Sequence, residues 1–190
     1  MRMIYIVAHC QTKSSDEQVL ASLKDRLSRV GLRLINEEKT KLVYCKDYKR
    51  KEKHYNVQFD FLGYSYQPRA RLCKTGTKLY TAFSAEISRS NQKKIREALK
   101  ENIQWRNTEM GIETIAEILN SKSSGWINYC GLYSKSKLTM LMNYLERKIT
   151  KWIRNKFKIS LLKESYSKLK SIKQAKPILF YHWEKGYCKS

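Results

Sequence analysis

The segment 136–158 constrains the fold more than any other, because its apolar residues recur at helical spacing. At about 100° per residue these side chains occupy one half of a helix surface. We therefore predict a long amphipathic helix whose apolar face lies in the core of a folded domain. That face consists of Leu138, Leu141, Met142, Leu145, Ile149, Trp152 and Ile153.

The opposite face of this predicted helix is basic. Arg147, Lys151, Arg154 and Lys158 fall within an arc of roughly 60°, and we call these four residues the basic ridge. Like charges at this spacing repel one another, so selection for stability alone rarely stacks them. We favour contact with a nucleic-acid backbone, and a solubilising exposed face is the alternative.

Net charge supports a polyanionic partner. The chain carries 39 Lys+Arg against 17 Asp+Glu, a net charge of +22, and residues 118–190 hold 16 basic but only 3 acidic side chains. An anionic membrane surface is the other candidate. Against it, Trp152 lies among aliphatic residues on the face that we expect to pack in the core of a globular domain. No apolar run approaches the 20 or so residues of a spanning helix, so we predict no membrane partner.

Further basic residues lie close to the basic ridge in the sequence. We add four of them to the candidate nucleic-acid contacts: Lys122, Lys135, Lys137 and Lys148.

The spacing of the cysteines and histidines argues against disulfide bonds and structural metal sites. The five cysteines are far apart, no Cys-x-x-Cys pair occurs, and the three histidines are isolated. This pattern predicts neither a disulfide framework nor a zinc site, and it indicates a reducing compartment. We accordingly assign no metal ligands.

Hydrophobic periodicity changes near residues 84–88. Before this point we predict a helix capped by Ser14 and Glu17. We predict strands at 3–8, 32–35 and 59–64, and an extended segment from Lys41 to Cys45. Two further short strands, separated by turns at Pro68 and Gly76, end near Phe83. After it we predict helices at 90–103 and 112–119, a third beginning near Ser124, and the long helix at 136–158. The fold class is therefore α+β, divided into 1–84, an all-helical 85–165 and a basic extension at 166–190.

Five segments, in order along the chain, resemble the group II intron reverse transcriptase/maturase family. The segment 31–43, which includes Lys39 and Thr40, resembles its late palm motif, and Phe61-Leu62-Gly63-Tyr64 resembles the FLGY motif that follows. Gly125-Trp126-Ile127-Asn128-Tyr129 resembles the signature of the maturase-specific thumb domain, and the segments 145–152 and 180–183 fit the family's spacing. Two departures are Ser124 in place of the usual Arg and Cys130 in place of a second Tyr.

This resemblance implies the end of a reverse-transcriptase palm over residues 1–84, followed by a thumb that binds intron RNA to assist its splicing or mobility. DNA is the alternative partner, and an upstream reverse-transcriptase fragment is a candidate protein partner. The resemblance further implies a bacterial cytoplasmic protein associated with nucleic acid, with an organelle matrix as the alternative. By this resemblance, Lys39 corresponds to a family lysine that lies near the incoming nucleotide.

By the family's spacing, the two catalytic aspartates would fall at Ile4 and Tyr5, and no Asp or Glu precedes Asp16. Nucleotidyl transfer needs clustered carboxylates that hold two Mg²⁺ ions. We therefore predict no catalytic residue and no cofactor for this chain alone; Mg²⁺ would be needed only in a complete polymerase. Three hypotheses remain: an RNA-binding module, a half-polymerase completed in trans, and a degenerate remnant of a mobile element.

Overall fold

The computed structural model describes residues 6–32, 40–50, 52–101, 103 and 105–188. Within them a three-stranded antiparallel sheet precedes five of the six helices, which confirms the predicted α+β class. The helices are α1 (Lys13–Arg29), α2 (Arg89–Glu101), α3 (Ile112–Cys130), α4 (Lys135–Lys156), α5 (Leu162–Ala175) and α6 (Tyr181–Glu184). The strands are β1 (Phe59–Phe61), β2 (Tyr64–Leu72) and β3 (Leu79–Ile87), in the sheet order β1-β2-β3.

A tight turn divides the segment 59–64, which we predicted as one strand. Leu62 and Gly63 have φ values of 47° and 78°, and Phe61 pairs with Tyr64 across the turn. Two consecutive positive φ values suit the right-handed twist of a two-residue hairpin. The prediction of a single strand is therefore wrong, and the FLGY motif forms the corner between β1 and β2.

Strands β2 and β3 are longer than predicted. They pair over nine residues, from Tyr64 opposite Ile87 to Leu72 opposite Leu79. Pro68 lies within β2, beyond the part that pairs with β1, where a missing N–H is tolerated. Strand β3 continues to Ile87, four residues past the predicted end near Phe83.

Several predictions for the first 45 residues are wrong or lie outside the described residues. Residues 6–8 of the predicted first strand are not in a strand, and neither are residues 41–45, although the Tyr44 amide donates to the Asn56 carbonyl. Residues 33–39, which include Lys39, lie outside the described residues. Helix α1 is capped by Thr12, whose side chain accepts from the Ser15 amide, rather than by Ser14.

Helix α3 is continuous from Ile112 to Cys130, whereas we predicted two helices separated before Gly125. A glycine inside a helix costs up to about 1 kcal/mol relative to alanine. The buried side chains of Leu119, Ser123 and Ile127 bring both halves of the helix into the core, and this burial outweighs the cost at Gly125.

Helix α4 lies at the centre of the helical part. All seven predicted core residues of this helix are buried, and α4 contacts α2, α3, α5 and β3. The Ile87 amide donates to the Ser134 hydroxyl at 2.7 Å, which joins the end of β3 to the start of α4. Residues beyond 165 also enter this core, since Leu169, Phe180 and Trp183 are buried. The domain boundaries proposed above stay predictions.

Candidate nucleic-acid interface

Three members of the basic ridge lie on α4 and are exposed: Arg147, Lys151 and Arg154. They face away from the buried side, as the helical spacing predicts. Lys158 does not belong with them, because α4 ends at Lys156 and Lys158 has a φ of 50°. A left-handed residue rotates away from the line of the preceding helix, so the predicted four-residue alignment is wrong at its last position.

Arg154 has a structural role in addition to its charge. Its Nε donates to the Ile159 carbonyl at 3.3 Å and its Nη2 donates to the Ser160 carbonyl at 2.7 Å. These bonds hold the loop between α4 and α5. Reversing the charge of Arg154 would therefore also disturb the loop, whereas Arg147 and Lys151 can be changed with less structural consequence.

The other candidate lysines lie at different distances from the ridge. Lys135 and Lys137 lie in the first turn of α4, and the 19 residue steps from Lys135 to Arg154 span about 28 Å of helix axis. Lys122 lies on α3 and is half-buried. Lys148 is half-buried, with its Nζ 5.6 Å from the centroid of the Tyr144 ring.

Helix α5 adds exposed cations that we did not predict. Ser165 and Leu169 face the core, and at about 100° per residue Lys163 and Lys170 point to the opposite side. Lys168 is also exposed, with its Nζ 5.0 Å from the centroid of the Phe157 ring. Helix α5 packs against α4, and each of the two helices carries exposed cations. The spacing of residues 165, 169 and 172 was the signal that could have revealed this helix.

Two of the motifs that resemble the family, the FLGY motif at 61–64 and the segment 125–129, lie in contact with each other. The Tyr64 hydroxyl donates to the Tyr129 carbonyl, and the Tyr129 hydroxyl donates to the Leu62 carbonyl at 2.7 Å. The two rings are 5.4 Å apart between centroids. Burial raises the pKa of Tyr64 to about 12, so its hydroxyl remains a donor. This pair joins the β1–β2 turn to the end of α3.

Comparison with protein families gives a match over this helical region. Residues 92–170 match the family described as "Group II intron, maturase-specific domain". These 79 of the 190 residues are similar to a group II intron maturase-specific domain, and we call this region the maturase-specific domain. Comparison with curated proteins and with solved structures finds no significant match.

The maturase-specific domain tolerates both departures from the family pattern without an unpaired group. Cys130 is buried in the core, so a packing role replaces any contact of a second tyrosine. The Ser124 hydroxyl donates to the Ser121 carbonyl of its own helix at 3.2 Å. Trp126 packs partly buried against the core, and Asn128 Oδ1 accepts from the Tyr181 hydroxyl at 3.2 Å.

Residues 178–188 pack beside the maturase-specific domain through a largely buried carboxylate on α4. Glu146 Oε1 accepts from His182 Nε2 at 2.8 Å and from the Trp183 indole N–H. Burial alone would raise the pKa of Glu146, but the bonds from His182 and Trp183 outweigh it and hold that pKa below its usual value. Cys188 lies beside the same carboxylate, and burial together with the charge of Glu146 raises the pKa of its thiol.

Lys156 and Lys176 are other basic residues with structural partners. Lys156 Nζ donates to the carbonyls of Thr108 and Met110 at 2.8 and 2.6 Å, which holds the loop before α3. Lys176 Nζ pairs with Glu113 at 2.6 Å. Charge alone therefore does not identify the contacts to a partner.

Among the described residues of the maturase-specific domain and the segments beside it, no helix has the length and apolar character needed to cross a membrane.

Proposed function

We propose that this chain binds structured RNA, as a group II intron maturase-specific domain, through the exposed cations of α4 and α5. The observation that supports this most directly is the placement of five basic side chains on two packed helices. All five side chains are exposed, and the ammonium group of Lys168 also makes a cation–π contact with the Phe157 ring. These residues are Arg147, Lys151, Lys163, Lys168 and Lys170.

The electrostatics of this surface favour a polyanion over a small acidic ligand. Glu146, which is next to Arg147 in the sequence, has its side chain only 16% exposed and faces His182 and Trp183 instead of the cations. Glu164, next to Lys163, is the one exposed carboxylate of α5, which holds three exposed lysines of this set. Phosphate groups brought to α4 and α5 would release condensed counterions, and this release supplies most of the sequence-independent affinity for nucleic acid.

Reversing two charges on α4 should weaken RNA binding without unfolding the domain. We expect the double variant Arg147→Glu/Lys151→Glu to bind a structured intron RNA more weakly, and to lower the slope of log affinity against log salt by about two. Electrophoretic mobility shift or fluorescence anisotropy at several salt concentrations measures both quantities.

The matched control is Lys74→Glu/Lys78→Glu, which changes the same charge on the exposed loop between β2 and β3. Its affinity for RNA should stay closer to that of the unaltered chain. Equal losses in the two double variants would show that net charge, rather than the α4–α5 surface, sets the affinity.

A second candidate function is a polymerase half completed in trans. The described N-terminal part leaves apolar side chains exposed, including Ile6 at 56% and Val30 at 68%, and α1 has no buried residue. A partner chain that carries the fingers and the catalytic aspartates would cover such a surface.

Primer extension tests this second candidate. We expect no extension by the chain alone with Mg²⁺, because the family's two catalytic aspartate positions hold Ile4 and Tyr5. Extension only after adding a reverse-transcriptase fingers–palm fragment would support completion in trans. Absence of extension in both reactions would remove the candidate.

A further inference from the structure

Three side chains with metal-binding atoms meet where residues 178–188 pack on α4. Glu146 comes from α4, His182 from α6, and Cys188 from the segment that follows α6. Their ligand atoms all lie within 4.8 Å of one another. We propose that Glu146, His182 and Cys188 bind one Zn²⁺ ion, which fastens the C-terminal segment to α4.

The donor set selects the ion. A thiolate and an imidazole favour Zn²⁺ over Mg²⁺ or Ca²⁺, which prefer oxygen donors alone. Zinc bonds of about 2.0–2.3 Å in a tetrahedron place neighbouring donor atoms about 3.5 Å apart. His182 Nε2 and Glu146 Oε1 are 2.8 Å apart, so the carboxylate and the ring need to separate by less than about 1 Å to admit the ion.

The imidazole of His182 is buried and is held through Nε2, the atom that faces Glu146. The His182 side chain is fully buried, and its Nδ1 has no hydrogen-bond partner among the described residues. Phe180 and Trp183 lie beside the ring, at 5.5 and 5.9 Å between centroids. A buried polar ring held from one side alone is costly unless that side makes a strong bond. A bond from Nε2 to Zn²⁺ would be stronger than the present hydrogen bond.

The surroundings also suit a bound cation. The Trp183 indole N–H donates to Glu146, which is the outer-shell contact that orients a ligating carboxylate. Glu146 and Cys188 are only partly buried, which gives the ion access and leaves room for water in the fourth position. Lys173, with its Nζ 5.8 Å from the Trp183 ring centroid, is a positive charge nearby that disfavours a second cation and that the two anionic ligands have to offset.

Charge and protons balance on binding. The Cys188 thiol releases its proton to solvent and binds as a thiolate, and Glu146 binds as a carboxylate. The ring proton of His182 moves from Nε2 to Nδ1, so that the neutral imidazole binds through Nε2. The two negative ligands then offset the two positive charges of Zn²⁺, with no change of oxidation state.

Cobalt substitution tests the site in the full chain after treatment with a chelator. We expect one equivalent of Co²⁺ to give a thiolate-to-metal charge-transfer band in the near ultraviolet, and Zn²⁺ to displace it. The variant Cys188→Ser should lose the band, while Cys73→Ser, which alters an exposed cysteine on the β2–β3 loop, should keep it. Zn²⁺ should raise the melting temperature of the unaltered chain and leave that of Cys188→Ser unchanged.

Circular dichroism confirms that each variant is folded before titration. A folded unaltered chain that gives no charge-transfer band with one equivalent of Co²⁺ would overturn the proposal. Retention of the band in Cys188→Ser would also overturn it, because the ion would then be bound by another cysteine. Either result would leave Glu146 as a purely hydrogen-bonded carboxylate.

Discussion

Replacement of Trp152 by alanine should destabilise the helical domain by about 3–5 kcal/mol, the usual cost of truncating a large core aromatic side chain. Trp152 is 1% exposed, and its indole N–H donates to the Asn107 carbonyl at 2.9 Å. The substitution therefore removes core packing and one bond that holds the loop before α3. Because small domains are stable by only about 5–15 kcal/mol, this loss should be visible in a single melting or denaturant curve.

Trp126→Ala is the matched control for Trp152→Ala. Trp126 is only partly buried on α3, so the same chemical truncation should cost clearly less. Equal losses of unfolding free energy at the two positions would contradict the central place of α4 in the core.

Replacement of Glu146 by alanine should cost about 2–4 kcal/mol, measured by chemical denaturation with chelator present so that no metal contributes. The change leaves His182 Nε2 and the Trp183 indole N–H in the interior without their common acceptor. Unsatisfied buried donors cost about 1–3 kcal/mol each. Hydrogen exchange should also become faster in residues 178–188, since these two bonds join that segment to α4.

Glu164→Ala serves as the control for Glu146→Ala, because Glu164 is exposed in the first turn of α5. Its effect should lie within about 0.5 kcal/mol, as is usual for surface substitutions. If Glu146→Ala were as stable as the unaltered chain, the buried carboxylate would not hold the C-terminal segment.

Helix α4 could be predicted from the sequence because one signal determined it. Its apolar face has an unbroken helical period over four turns, and every residue assigned to that face is buried. The exact end was harder to predict. No Gly or Pro stops the helix, and the left-handed Lys158 that redirects the chain is not a residue that favours positive φ. For this reason the prediction placed Lys158 in line with the other three residues of the basic ridge, whereas it lies beyond the end of α4.

Local signals were misleading where tertiary contacts oppose them. We predicted a gap between residue 119 and Ser124, yet buried side chains on both sides of it keep α3 continuous. Leu62-Gly63 lacks the Asn-Gly pattern of common hairpin turns, so the corner between β1 and β2 was read as strand. The Tyr64–Tyr129 contact, which supports this corner, joins residues 65 positions apart and has no local signature.

The cluster of Glu146, His182 and Cys188 shows a further limit of reading motifs. Sequence spacing argued against a zinc site because no short Cys or His pair occurs. The fold brings His182 to a carboxylate 36 positions away, and only the packing of α6 on the helical core reveals this neighbourhood. The lysines of α5 were likewise assigned to an extension, although they lie on a helix packed against α4.

The salt dependence of RNA affinity tests the central claim most directly. Affinity of the full chain for a structured intron RNA is measured between about 50 and 200 mM salt, the range over which six to ten phosphate contacts cost about 10³–10⁵ in affinity. If the exposed cations of α4 and α5 contact phosphates, log affinity should fall linearly with log salt, with a slope of magnitude about three or more. An affinity that stays constant across this range would contradict RNA binding through the basic surface of α4 and α5.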